Sequence, residues 1–285
     1  MTDPPARALQ DYVLLNTWRF DRVIGAGADG TVYLARHLES GEPVAVKVYD
    51  SMVDEALDVV MHRIESEVAL VRAAASPWLI GLHHHGVRRA RGGRRAAYIV
   101  MDYLQGQSLR SLMNLRGALP AADADALMAG LLQGVAAIHR AGWVHLDLKP
   151  DNAWVRALHT LHEPGAVVLF DFGNARPLAT AFTVGARGTP LYAAPEICNR
   201  DAGVGPPADV YALGILLYEL VAGRPPMPVE SVEQIVATHV WGTLDPWPAH
   251  APGWMRPLWE RAVERDPARR FPDADAMLRA WTGQP

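Results

Sequence analysis

The sequence predicts an α+β, bilobal architecture: a small β-rich N-terminal lobe with one main helix, then a larger, mainly helical C-terminal lobe. Three observations predict it. Short runs rich in β-branched residues, broken by Gly25-Ala26-Gly27 and Ser40-Gly41-Glu42-Pro43, crowd the beginning of the chain. After Tyr103-Leu104-Gln105-Gly106 the apolar periodicity turns helical. The 285 residues are 50% hydrophobic, enough to bury one large core or two small ones.

Residues 1–17 read as an extension with no packing signal, 18–104 as the first lobe and 105–285 as the second, with one domain spanning 18–282. In the first lobe, strands are expected at 19–24, 31–37 and 43–49. A helix is expected at 54–74, where Leu57, Val60, Met61, Ile64, Val68 and Val71 recur at three and four. A hairpin over 80–88 and 94–101 turns at Gly92-Gly93. In the second lobe the expected helices are 108–115, 121–141, 208–223, 229–239, 253–264 and 274–281, with strand-like pieces at 153–155 and 167–170.

Composition narrows the function classes. A net charge of −4 points neither to nucleic acid nor to an anionic membrane. The single cysteine, Cys198, excludes a disulfide framework and a cysteine-based zinc site, and suits a reducing compartment. Met1-Thr2-Asp3-Pro4-Pro5 has no signal-peptide pattern. The most apolar windows, 128–138 and 212–222, are shorter than a bilayer span and carry Gln133 or Glu219. The expectation is a cytoplasmic protein without membrane or nucleic-acid partners.

Five motifs carry chemistry. Gly25-Ala26-Gly27-Ala28-Asp29-Gly30-Thr31-Val32 joins two strands; its glycines suit close approach of backbone amides to phosphate, although a tight hairpin reads the same way. Val44-Ala45-Val46-Lys47 places a lysine inside an apolar strand, which is costly unless paired. Val60, Ile64, Glu67 and Val71 share one helix row, so Glu67 rather than Glu65 is the expected partner. His145-Leu146-Asp147-Leu148-Lys149-Pro150-Asp151-Asn152 and Asp171-Phe172-Gly173 combine a carboxylate base, a lysine and two oxygen ligands, a set suited to Mg²⁺-assisted phosphoryl transfer. The fifth is Gly188-Thr189-Pro190-Leu191-Tyr192-Ala193-Ala194-Pro195-Glu196.

In order and spacing these motifs resemble the eukaryotic-like (Hanks-type) protein kinases, in the style of bacterial serine/threonine kinases, from about Trp18 to Trp281. The resemblance implies the bilobal protein-kinase fold and a non-specific serine/threonine protein kinase. ATP is its co-substrate and Mg²⁺ its metal, with Mn²⁺ as an alternative, and its partners are proteins with Ser/Thr acceptors. It implies that Gly25, Ala26, Gly27 and Gly30 cover the ATP phosphates and that Lys47, paired with Glu67, holds the α/β-phosphates. Asp147 accepts the proton of the acceptor hydroxyl. Lys149 reaches the γ-phosphate, Thr189 bonds both Asp147 and Lys149, and Asn152 and Asp171 bind the metal. Val32 and Ala45 roof the adenine, Met101 is the gatekeeper, and Asp102 and Leu104 form the hinge. Leu82, Val71, Phe172 and His145 stack as an apolar spine, Asp209 anchors the catalytic loop, and Arg270 pairs with Glu196. Two alternatives are a nucleotide-binding pseudokinase scaffold and a small-molecule kinase.

The sequence departs from the family pattern in several places. Leu146 replaces the usual arginine, so activity is expected without phosphate on Thr180 or Thr183. Trp154 stands where a Leu or Met forms the adenine floor; it either stacks on the base or turns into the core. Asp29 at the loop tip is expected to point outward. Residues 159–165 read as a surface turn. His83-His84-His85 alternate faces on a strand and cannot readily converge on one metal. Arg88-Arg89-Ala90-Arg91-Gly92-Gly93-Arg94-Arg95 reads as a solvated tip, with docking of an acidic partner as the alternative.

Overall fold

The computed structural model describes residues 12–27, 30–49, 54–89, 95–181, 189–199 and 203–284. The chain divides into two compact units: residues up to 69 with 80–105, and residues 70–79 with 106–285.

The first unit is an antiparallel six-stranded sheet among the described residues. Its strands are β1 (Val13–Leu14), β2 (Trp18–Gly27), β3 (Gly30–His37), β4 (Pro43–Tyr49), β5 (Leu82–Arg89) and β6 (Arg95–Asp102), in the order β1-β2-β3-β4-β6-β5. Alternation sorts their side chains between two cores. Val44, Val46 and Val48 join Phe20, Tyr33, Tyr98 and Val100 on one face. Tyr49, on the other, joins Leu57, Val60, Ile64 and Val68 of α1 (Asp54–Ala74). Residues directly opposite across a ladder share a face. Val32 and Ile99 flank Lys47, and Leu34 and Met101 flank Ala45, so all six lie on the α1 side. On α1, Glu67 is buried with Ile64 and Val68 while Glu65 is exposed.

The second unit is built on α3 (Ala121–Arg140) and α6 (Pro206–Ala222), which pack together and against α9 (Ala274–Thr282). Among the described residues α3 alone is long and apolar enough to cross a membrane; 67% of that window is buried within the protein. Around this axis lie α2 (Leu109–Arg116), α4 (Leu178–Ala181), α5 (Pro195–Cys198), α7 (Val232–Val240) and α8 (Met255–Ala262). Ser108, Ser231 and Asp273 start α2, α7 and α9 by accepting from the amides of Ser111, Gln234 and Ala276. The Ser231 cap explains why α7 begins later than the expected residue 229.

Two small ladders place the loops that matter. β7 (Gln107–Ser108), β9 (Ala153–Val155) and β10 (Val167–Leu169) form one; β8 (Trp143–Val144) and β11 (Arg176–Pro177) form the other. β8 enters and β9 leaves the segment 145–152; β10 enters and β11 leaves the segment 170–175. Both segments are therefore held at both ends within one unit. The expected surface turn at 159–165 is only partly one. Leu161 and Gly165 are buried, Gly165 with φ +77° against the Pro77 carbonyl, because the apolar side chain at 161 turns inward.

Gly106 has φ +115°, and a Cβ there would sit 2.1 Å from the Val155 carbonyl oxygen. Gly106→Ala should destabilise the protein by at least ~2 kcal/mol, read as a lower denaturant midpoint with unchanged slope.

Candidate active site

The segment 145–152 is anchored from beneath by Asp209. His145 N–H donates to Asp209 Oδ2 at 2.7 Å and Leu146 N–H to Oδ1 at 2.8 Å. His139 Nδ1 accepts from the Ala274 amide at 3.0 Å, so its proton sits on Nε2, which donates to Asp209 Oδ2 at 2.9 Å. Burial would raise the Asp209 pKa; the His139 hydrogen bond and the His145 amide outweigh it and hold the carboxyl below its ordinary range. These bonds hold Leu146 at φ +65°, a left-handed conformation that disfavours a residue with a Cβ. Leu146, the position expected to lack a charge, is buried.

His145 is fully buried. Burial pushes its imidazole pKa down against the pull of Asp209, Asp147 and Asp171, and Nδ1 accepts the Asp147 amide at 3.3 Å. Its ring meets Phe172 edge-on, centroids 5.5 Å apart.

Asp147, 8% exposed, is surrounded by donors. Thr189 reaches Oδ1 with its amide at 2.9 Å and its hydroxyl at 2.8 Å. Lys149 Nζ reaches Oδ2 at 2.9 Å and Thr189 Oγ1 at 3.2 Å. Asn152 Nδ2 donates to the Asp147 carbonyl at 3.0 Å, which leaves Oδ1 as the acceptor end of its amide. Asn174 Nδ2 donates to Oδ2 at 3.3 Å. The structure thus brings Asp147, Lys149, Asn152 and Thr189 together. Asp171 follows β10 at φ +62°, and Phe170 N–H donates to Asn152 O at 3.0 Å, tying the two loops. Asn152 and Asp171 offer only oxygen to a cation, a donor set that fits Mg²⁺.

In the first unit, Val32, Ala45, Lys47 and Met101 share the sheet face that α1 covers. Lys47 Nζ lies 5.0 Å from the centre of the Tyr49 ring, which Arg63 also approaches, and Arg63 Nε is 3.6 Å from Glu67 Oε1. Lys47 and Glu67 therefore belong to one cluster around Tyr49. Gly30, at φ +138°, is demanded by the fold: a Cβ would meet Val48 O at 2.2 Å. Gly25 and Gly27 are not; among the described residues, a Cβ at Gly27 would meet nothing within 4 Å. Ala26 pairs with Thr31 across the β2–β3 ladder. Asp102 accepts from Gly81 N at 2.9 Å and meets His83 Nε2 at 2.8 Å, while Leu104 is half-buried. His84 goes elsewhere, stacking on Tyr98. Trp154, half-buried in β9 of the second unit, meets Phe170 edge-on at 6.2 Å. Ala28, Asp29, Thr183 and residues 90–94 lie outside the described residues; Thr180 is exposed on α4.

Two clusters support the segment 189–196. Arg270 forks Glu196 at 2.8 and 2.9 Å, fully buried, and also donates to the carbonyls of Glu264, Arg265 and Pro207. Arg110 donates to Glu219 at 2.7 Å and to Tyr192, while the Tyr192 hydroxyl donates to Glu219 at 2.5 Å. Sequence reasoning missed His139, Asn174 and Arg110: a helix-end histidine, a turn asparagine and a helix arginine carry no local signal of the partners they find far along the chain.

Comparison with known proteins places this geometry. The protein kinase domain family model matches residues 18–282. The probable serine/threonine-protein kinase PknB of Bifidobacterium longum is 31% identical over 270 residues, 90% of this chain and 38% of that protein. Serine/threonine-protein kinase PknL of Mycobacterium tuberculosis is 32% identical over 278 residues, 94% of this chain and 66% of that protein. PknA of Corynebacterium glutamicum is 29% identical over 269 residues, 92% of this chain and 55% of that protein. The chain thus spans between 38% and 66% of the length of these relatives.

His239 of α7 supports the same segment. Its Nε2 donates to Leu191 O at 3.1 Å, and Nδ1 accepts from the Tyr211 hydroxyl at 2.7 Å. Burial pushes its pKa from 6.5 down to about 4. The unfolded chain takes the proton first, so folded stability is full above pH 6.5 and falls toward pH 4. This side chain should contribute up to ~1.4 kcal/mol per pH unit in that window. His239→Gln should show a correspondingly shallower loss in urea titrations across the window.

Proposed function

The chain belongs to the protein kinase family, and from that premise we propose that it is a catalytically competent serine/threonine kinase that transfers the γ-phosphoryl group of ATP to protein hydroxyls. The observation that carries the proposal is the Asp147 carboxylate, with one oxygen held twice by Thr189 and the other by Lys149. A carboxylate so oriented is suited to take the proton of an acceptor hydroxyl. Lys149 is at hand to meet the transferred phosphoryl group. Tyrosine-directed relatives carry different text at this loop, which favours Ser/Thr acceptors.

Nucleotide binding is assigned in the same way. Lys47, supported by Glu67, holds the α/β-phosphates. Gly25, Ala26, Gly27 and Gly30 cover them. Val32 and Ala45 line the adenine pocket with Met101 as gatekeeper, and Asp102 and Leu104 present hinge backbone; Trp154 either stacks on the base or stays turned toward Phe170 within the second unit. Asn152 and Asp171 hold Mg²⁺, or Mn²⁺ in its place. The metal, when bound, neutralises phosphate charge. The chain's own part is alignment and charge: Lys47 and Lys149 oppose the phosphate oxygens, and Asp147 keeps the acceptor oxygen in line. The domain runs over residues 18–282, its first lobe ending at 104 in the sequence, and works in the cytoplasm, where ATP is supplied. Docking of an acidic partner on the basic segment 88–95 is the second of two readings beside a solvated tip, and Arg88 belongs to neither: it is buried, its guanidinium 5.2 Å from the centre of the Tyr12 ring.

Leu146 leaves no buried arginine beside Asp147 for an activating phosphate to neutralise. The testing assay is radiolabel transfer from ATP to a generic acceptor protein. Wild type should label it. Asp147→Asn and Lys47→Met should lose at least ~100-fold in rate, and Thr180→Ala/Thr183→Ala should keep most of it. Transfer undiminished in Asp147→Asn would refute the assignment.

A further inference from the structure

Asn174 lies in a tight turn in which Ala175 N–H donates to Phe172 O at 2.9 Å. Asparagine suits the third position of such a turn through local bonding to its own backbone. Here the side chain does something else: its carboxamide nitrogen donates to Asp147 Oδ2, 27 residues back along the chain, at 3.3 Å.

We infer that Asn174 is a positioning residue for Asp147, fixing the rotation of its carboxylate; the inference rests on the reading of Asp147 as the base. Oδ1 is already held by the Thr189 amide and hydroxyl. Oδ2 takes Lys149 at 2.9 Å, Asn152 at 3.4 Å and Asn174 at 3.3 Å. Of these, Lys149 is a flexible ammonium that also serves Thr189, and Asn152 is committed at shorter range to the Asp147 carbonyl. Asn174 is held differently. Its backbone is pinned by the Phe172–Ala175 turn on one side, and the β8–β11 ladder begins two residues later at Arg176. It presents a rigid neutral donor on the side of the carboxylate opposite Thr189. With both oxygens held, the carboxylate plane cannot swing; with Asn174 removed, Oδ2 follows the mobile lysine. The same contact couples the loop that carries Asp171 to the loop that carries Asp147, so that the two carboxylates are placed together.

The alternative is that Asn174 merely suits the turn, and glycine and aspartate separate the two because both suit it equally. If Asn174 positions Asp147, Asn174→Gly should lower kcat for an acceptor protein about tenfold with the KM for ATP within about twofold. Asn174→Asp, isosteric but setting a carboxylate against a carboxylate, should lower kcat further. An unfolding cycle supplies a readout independent of activity: the destabilisation caused by Asn174→Gly should shrink in an Asp147→Ala background. Wild-type kcat in both variants, a KM for ATP rising in step with the loss, or strict additivity in the cycle would overturn the inference. A wild-type chain that labels no acceptor but shows coupling in the cycle would sink the kinase reading and leave the anchoring in place.

Discussion

The buried carboxylate of Asp209 is the constraint on which the proposed chemistry depends. It takes two consecutive backbone amides, those of His145 and Leu146, and a third proton from His139. Two adjacent amides can point at one carboxylate only if the chain between them turns sharply, and Leu146 accordingly adopts φ +65°. A left-handed leucine costs roughly 1–2 kcal/mol. Hydrogen bonds to a buried charge, each worth about 1.5–3 kcal/mol net, are sufficient to hold it there. The carboxylate sits on α6, the histidine on α3, and the amide that fixes the histidine's tautomer opens α9. The three helices that form the core of the second unit therefore meet at the point that sets the loop.

Above this anchor the polar groups are arranged in a short hierarchy. Asp209 sets the backbone of the loop, the turn at Pro150 to Asn152 returns Asn152 to the Asp147 carbonyl, and Thr189, Lys149 and Asn174 orient the carboxylate. Thr189 is placed in turn by the segment that follows it. Arg270 fixes Glu196 at one end, and His239 and the Arg110–Glu219 pair hold Leu191 and Tyr192 between. Each of these charges is paired within the interior, where an unpaired one would be strongly destabilising. The second left-handed residue, Asp171, is one of the two proposed metal ligands. Within these two loops the left-handed non-glycine residues are Leu146, held there by Asp209, and Asp171.

Much of this was legible in the sequence because the signals were local. Runs rich in β-branched residues located β3 and β4, and a three–four repeat located α1 over Asp54–Ala74; the serine and aspartate caps of α2, α7 and α9 were not read. The row argument that separated Glu67 from Glu65 rests on helix geometry alone, and burial divides them in the same way. The oxygen- and nitrogen-bearing residues of the loops were visible as motifs. Three of the donors around them were not. Nothing within a few residues of His139, Arg110 or Asn174 indicates that their partners lie at 209, 219 and 147. The turn at 159–165 was read only in part for a related reason: exposed polar neighbours mask a single buried leucine at 161.

The proposed chemistry depends most directly on whether Asp209 holds the loop. Amide hydrogen exchange at His145 and Leu146, compared between wild type and Asp209→Asn, measures that bond. The asparagine turns one acceptor into a donor facing an amide. The account predicts that both amides are protected in wild type and exchange about tenfold to a hundredfold faster in the variant, while amides in the middle of α3 are unchanged. Equal protection at His145 and Leu146 in the two proteins would contradict it.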